Sequence, residues 1–264
     1  MLYVIATPIG NLKDVSHNLL HILSEGILDI LLCEDTRHTR KLISALSIEH
    51  APRLEALHAQ NEEKRIRWIE EQWNLGKTIG LVSDAGTPAI SDPGRFVVAH
   101  AHAKGIPVRV IAGPSSISAA LSVSGFPVSP FLFLGFAPRK RGARQGWLVK
   151  ASQQECSLVI LEAGNRFPAL LEDLRFLMPQ REICLCRELT KRFEEVRRDF
   201  IHSFPEEELR GECVVVVGPG PAIEMEQERT EGLKGIAQVL AEQWGISNRE
   251  AYNRLLTIKN PEDV

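Results

Sequence analysis

The chain has 264 residues, 44% of them hydrophobic, and a formal net charge of −3. That is enough apolar material for one large or two medium-sized cores, and the charge balance excludes a nucleic-acid binder that works through overall charge; such a contact needs a local basic patch. No apolar stretch approaches the ~18 residues of a membrane helix, and the opening MLYVIATPIG lacks the basic lead-in of a signal peptide, so a cytoplasmic protein with no membrane partner is expected. The elements then follow in chain order. LYVIA (2–6) reads as a strand, and DVSHNLLHILSEG as a helix capped by Ser16 and stopped at Gly26. ILDILLC (27–33) is a second strand, TRHTRKLISAL a second helix, and RLEAL (53–57) a weaker strand. NEEKRIRWIEEQWNLG carries Ile66, Ile69 and Trp73 on one helical face. TIGLVS, a helix over 94–104, the strand VRVIA and a helix from Ser115 or Ser116 to about Ser124 complete the first half.

Strand–helix alternation predicts a parallel sheet covered on both faces, and the nearly all-apolar ILDILLC and TIGLVS suit strands buried on both sides. GFPVSP (125–130), with two prolines, is read as the boundary between a domain over 1–124 and one over 130–220. In the second domain FLFLGF, SLVILEA, REICLCRE and GECVVVV read as strands, with one helix around 166–177; the less regular spacing predicts a mixed sheet. From about 229 to 264 a small helical extension is expected, with helices over 233–243 and 248–258 joined by GIS. The five cysteines, at 33, 156, 184, 186 and 213, all lie in apolar runs without metal-ligand spacing, so buried free thiols and no metal are expected.

Three loops follow strands of the first half: TPIGNL (7–12), SDAGTPAISDPG (83–94) and AGPSSIS (112–118). Each puts Gly, Pro and hydroxyl or amide side chains at a strand mouth, where open α/β sheets bind ligands. None is a dinucleotide fingerprint or a phosphate-binding loop with the G-x-x-x-x-G-K-[ST] pattern. EDTRHTRK (34–41) reads either as a well-charged helix start or as a source of an acid–base group at Glu34 or Asp35. In HAQNE (58–62), Asn61 as a helix cap with acids in the first turn needs no function. APRKRGARQGWLVK (137–150) has five basic residues and no acid; it reads as a solvated loop or as a flexible arm gripping phosphates, with Phe136 and Trp147 for stacking. RELTKRFEEVRR (187–198) mixes both signs and suits a salt-laced surface as well as a site.

In this order, LYVIATPIGNLKDVS, CEDTRHTRKL, HAQNE, GLVSDAGTPAISDPG, AGPSSISAALSVSGFP, FLFLGFAPRKRGAR and RELTKRFEEVRR resemble the ribosomal RNA small subunit methyltransferase I family, a branch of the tetrapyrrole methylase superfamily. Residues 162–166 depart from it: Glu162 and Arg166 match, while Ala163, Gly164 and Asn165 stand where the family has Ser-Pro-His. The resemblance implies two α/β domains, a homodimer, S-adenosylmethionine held in the cleft between the domains, and methylation of a ribose 2′-hydroxyl of a decoding-centre cytidine in small-subunit ribosomal RNA, naked or within the 30S particle. It implies donor contacts from Pro8 and Gly10, from Asp84, Ala85, Gly86, Ile90 and Ser91, from Pro114, Ser115 and Ser116, and from Leu161 and Glu162. In that picture Asp84 faces the donor ammonium and Gly86 lets the backbone approach it. Glu34, Arg37, Glu188 and Lys191 are the candidate catalytic residues, and Arg139, Lys140, Arg141 and Arg144 the candidate RNA contacts. A tetrapyrrole methyltransferase and a non-catalytic ribosome-assembly factor are the competing readings; donor binding separates the second of these from either enzyme.

Overall fold

The computed structural model describes residues 1–220, 237, 238, 240, 241 and 245–259. It divides into two units, Met1–Ala119 with Leu189–Phe193, and Ala120–Glu188 with Glu194–Val264. The division falls within a helix, several residues before the GFPVSP stretch. Those two prolines therefore lie inside the second unit and do not mark its edge.

In the first unit, β1 (Leu2–Ile5), β2 (Ile30–Cys33), β3 (Arg53–Ala56), β4 (Ile79–Val82) and β5 (Val108–Ile111) form a wholly parallel sheet in the order β3-β2-β4-β1-β5. The inner strands β2 and β4 are buried at every position, as their unbroken apolar runs require. Helices α1 (His17–Ser24), α2 (Thr36–Ala45), α3 (Glu62–Asn74) and α4 (Arg95–Ala103) connect the strands, and α5 (Ser116–Ser124) follows β5. Separate apolar clusters, one with Ile69, Trp73 and Val97, the other with Leu19, Ile22 and Ile43, receive these helices. Gly80 sits where the packing leaves no room: a Cβ there would lie 2.8 Å from Leu28 Cδ1 and Leu31 Cδ1.

In the second unit, β6 (Phe131–Phe136), β7 (Ser157–Ala163), β8 (Glu182–Arg187), β9 (Glu195–Phe200) and β10 (Glu212–Val217) form a mixed sheet, order β6-β7-β10-β8-β9, in which β6 and β7 are parallel and the other pairs antiparallel. Helices α6 (Arg141–Ser152) and α7 (Phe167–Leu177) cover it through Leu148, Phe167, Leu170 and Leu174. The basic stretch expected as a loop or flexible arm is thus largely helix α6, because Leu148 and Ala151 face the core on one side of it. The charged EVRRDF is an edge strand, with Arg187–Glu195, Arg197–Glu195 and Arg198–Glu182 ion pairs at 2.8–2.9 Å. Helix α8 (Asn248–Lys259) packs with the second unit, Arg254 lying 4.5 Å from the Phe176 ring centroid. The helix expected over 233–243 lies largely outside the described residues. Among the described residues the cysteines are free, Cys156 being half-buried and the others buried. No helix among them is long and apolar enough to cross a membrane.

Candidate active site

The register of the first sheet brings its loops to one edge. Ile5 pairs with Ile111, Val4 with Leu81 and Cys33 with Val82, so the chain leaves β1, β2, β4 and β5 at nearly the same level. In a parallel sheet this carboxyl edge is where helix N-termini and loop amides point outward. The loops at 7–12, 34–36, 83–94 and 112–116 therefore share one face of the first unit.

Two ties shape that face. Thr7 and Gly86 exchange both backbone hydrogen bonds, at 2.9 and 3.1 Å, and Thr7 Oγ1 donates to the Ser83 carbonyl at 3.3 Å. Gly86 has φ +78, which favours glycine, and a Cβ there would press Ile9 Cγ2 at 3.3 Å. Its N–H and carbonyl are both taken by Thr7 and it is buried, as is Pro8. Gly86 thus stitches two loops together, and the expectation that it lets a ligand reach its own backbone is corrected. At the other end of the loop, Gly94 has φ +128, and a Cβ there would lie 2.4 Å from Leu81 Cδ2.

The second tie comes from Glu62, which is 4% exposed. Its Oε1 accepts from the backbone N–H groups of Gly94 (3.0 Å), Phe96 (2.7 Å) and Val97 (3.3 Å). A carboxylate at a helix N-terminus satisfies orphan donors and opposes the helix dipole. Glu62 therefore caps α4 from another helix, 32 residues away from Gly94. Asn61, expected to cap α3, has helical backbone and makes no cap bond; its Oδ1 accepts from His58 N–H at 2.8 Å and its Nδ2 donates to the Ala56 carbonyl. Local pattern could not reveal the long-range cap, whose only trace is an acid in a first turn.

Apart from Ile90, the outer rim is made of small or polar residues. Gly10, Asp84, Ala85, Ile90, Ser91, Ala112 and Gly113 are exposed, and Pro114, Ser115 and Ser116 are half-buried at the start of α5. Gly113 packs so closely on β1 that a Cβ would come 3.1 Å from Ala6 Cβ, and Thr87 Oγ1 donates to the Pro114 carbonyl at 3.3 Å. Asp84 accepts from Asp35 N–H at 3.1 Å, and its Oδ2 lies 3.0 Å from His38 Nδ1. Asp35 caps α2 and pairs with Arg37, whose guanidinium holds its carboxyl well below the usual range. Arg37 is thereby committed to Asp35, although its side chain stays in solvent. Burial, then the charges of Asp92 and Asp84, raise the Glu34 carboxyl above its ordinary 4.5; burial likewise raises Asp92. Lys191 belongs to this unit too: a Cβ on Gly10 would lie 2.4 Å from Lys191 Cγ, so the lysine stem runs across the first loop.

The remaining candidates lie in the second unit. Glu188 accepts from the backbone N–H of Glu212 at 2.9 Å and so pins β10 to the end of β8. Glu162 is 2% exposed; it accepts from Ala163 N–H and pairs with Arg166 at 3.0 Å, an interior arrangement in place of the expected ligand contact, while Leu161 is half-buried. Gly164, one of the departures from the family pattern, has no room for a side chain here: a Cβ would strike the Leu209 and Arg210 backbone at 2.9 Å. Arg139 and Lys140 are exposed, and Arg141 is exposed but paired with Glu172 at 2.9 Å. Arg144 is 6% exposed and bonded to Asp173 at 2.6 Å, so it cannot grip a phosphate, and the expected four-cation patch reduces to three.

A family model of tetrapyrrole (corrin/porphyrin) methylases matches residues 1–205. The chain belongs to that family. Within the tetrapyrrole methylases it is 36% identical, over 97% of its length and 89% of the relative's, to the ribosomal RNA small subunit methyltransferase I of Halalkalibacterium halodurans. It is 39% identical to the protein of that name from Coprothermobacter proteolyticus, over 83% of this chain and 98% of the relative. These relatives place it in the ribosomal RNA small subunit methyltransferase I branch. Among solved structures the methyltransferase CobJ superposes with a TM-score of 0.61 at 17% identity, covering 87% of this chain and 96% of CobJ. The uroporphyrin-III C-methyltransferase of Thermus thermophilus, complexed with S-adenosyl homocysteine, gives 0.55 at 16% identity, covering 82% and 96%. Both likenesses support the fold that the sequence pattern implied, which in this chain is a parallel sheet followed by a mixed one.

Proposed function

We propose that the chain uses S-adenosylmethionine to methylate small-subunit ribosomal RNA, at the ribose 2′-hydroxyl of a decoding-centre cytidine. The observation that carries this is the near full-length similarity to relatives named ribosomal RNA small subunit methyltransferase I. The rim of the first unit fits the donor: Ala85 is small and exposed, and α5 presents first-turn N–H groups at the same edge. Asp84, Ala85, Ile90, Ser91, Pro114, Ser115 and Ser116 are the residues that would hold it.

When bound, S-adenosylmethionine supplies a methyl group that is already electrophilic. The protein then has to hold the acceptor hydroxyl in line and take up its proton. Glu34 is the proton acceptor in this reading, since its raised carboxyl draws a proton more strongly than an ordinary glutamate. Lys191 supplies positive charge to the oxygen as the proton leaves. Arg37, tied to Asp35, orients the start of α2 beside Glu34, while Glu188 holds the ends of β8 and β10 together within its own unit. Mapping 2′-O-methylation on small-subunit RNA from cells with and without the chain tests the reading. A cytidine modified only when the chain is present supports it, and identical maps refute it.

RNA contact through the start of α6 gives a quantitative expectation. Of the three exposed cations of this patch, Arg141 is already paired with Glu172, which leaves Arg139 and Lys140 for phosphates here. Single-stranded RNA gives a salt slope of about −0.7 per phosphate neutralised. Replacing both residues by alanine is expected to make log affinity against log salt shallower by up to about 1.4. RNA binding measured at several salt concentrations checks this, and an unchanged slope removes the patch from the RNA path.

A further inference from the structure

The hairpin of β8 and β9 closes on the pair Arg187 and Glu195, leaving Glu188 to Glu194 as its loop. Its residues 189–193 belong to the first unit. Two non-glycine residues in the loop, Glu188 (φ +49) and Thr190 (φ +65), take the left-handed conformation, which is uncommon for them. The loop is anchored: Leu189 is buried, and the Lys191 stem lies against Gly10. Yet Phe193, four residues after Leu189, keeps 66% of its surface exposed, with the Arg192 guanidinium 5.5 Å from its ring centroid.

A phenyl ring held in water on an anchored loop has no packing role. Its flanks, Arg192 and Glu194, are charged and exposed, so no apolar run continues from it along the chain. A planar partner with a π-face and nearby negative charge suits it better: the ring offers a stacking face, and Arg192 and Lys191 bring two positive charges within two residues. We propose that Phe193 is the platform on which one unpaired base of the RNA substrate stacks, with Arg192 on the adjoining phosphate. The proposal rests on the RNA methyltransferase reading above.

The test uses the full chain, labelled donor and small ribosomal subunits from cells lacking the chain. Stacking one base on an aromatic side chain corresponds to roughly 5- to 150-fold in affinity. Phe193→Ala is expected to raise the KM for the subunits by that factor, while donor affinity by calorimetry stays at the wild-type value. Phe193→Trp is expected to restore the KM, and Phe193→Leu, similar in bulk but without a π-face, is not. An unchanged KM in Phe193→Ala, or full restoration by leucine, overturns the proposal. A Phe193→Ala variant with weakened donor affinity overturns it as well, because the ring would then be supporting the first unit. If the wild-type chain binds donor but transfers no label to RNA, the underlying reading fails first, and that is seen before any variant is compared.

Discussion

Asp173→Ala is expected to destabilise the second unit by about 3–5 kcal/mol, the cost of leaving a buried charge without its partner. Asp173 is 1% exposed and accepts from Arg144 Nε at 2.6 Å and Gln145 Nε2 at 2.8 Å, linking α7 to α6. Without it the Arg144 guanidinium keeps, among the described residues, the Ala169 carbonyl at 3.3 Å. At about 2–4 °C per kcal/mol for a chain of this size, the melting midpoint should fall by roughly 6–20 °C. Scanning calorimetry reads this directly. Replacing all three members, Arg144→Met, Gln145→Met and Asp173→Leu, should recover most of the loss, because apolar side chains of similar volume carry no desolvation cost and no buried amide is left without an acceptor. A single variant melting within about 2 °C of wild type would show that the pair is not under load.

The second large effect concerns turnover. Glu34→Gln and Lys191→Ala are each expected to lower kcat by about 10²–10⁴-fold with donor affinity nearly unchanged. The pH profile separates a proton acceptor from a positioning group. Glu34 must be ionised to accept a proton, so wild-type turnover should rise with pH through a value above 4.5, and the glutamine variant should lose that limb. Stability runs the other way: a raised carboxyl favours the neutral form in the fold, so its contribution is present below pH 4.5 and lost as pH rises through the raised value. Glu34→Gln should therefore fold at least as well as wild type at neutral pH. Single-turnover rates close to wild type in both variants would leave alignment as the chain's main contribution.

Much of the architecture was legible because it is written locally. FLFLGF and SLVILEA are apolar runs with sharp polar or proline edges, and they coincide with β6 and β7. The Gly- and Pro-rich loops could be placed at strand ends, and parallel register then brings them to one edge. What escaped was set by partners distant in sequence. Five basic residues and two glycines hid helix α6, since the core contacts of Leu148 and the Asp173 partner of Arg144 lie outside any local window. EVRRDF did not read as a strand because an edge strand needs apolar alternation least and gains from charge. In the candidate site the loops could be read but not their ties: nothing near Glu62 signals that three amides of another helix depend on it.

Those ties set how the loop over 83–94 can move. Thr7 holds it at Gly86 and Glu62 holds it at Gly94, so residues 87–93 span two fixed posts, with Thr87 Oγ1 also held on the Pro114 carbonyl near the first of them. The far post is a single carboxylate oxygen shared by three amides. Such a joint tolerates a small swing of the segment about one point, but not a slide along α4, which would break all three bonds together. A ligand arriving at this edge meets a short hanging bridge of fixed span: it can tilt the bridge toward itself, but it cannot pay out more chain.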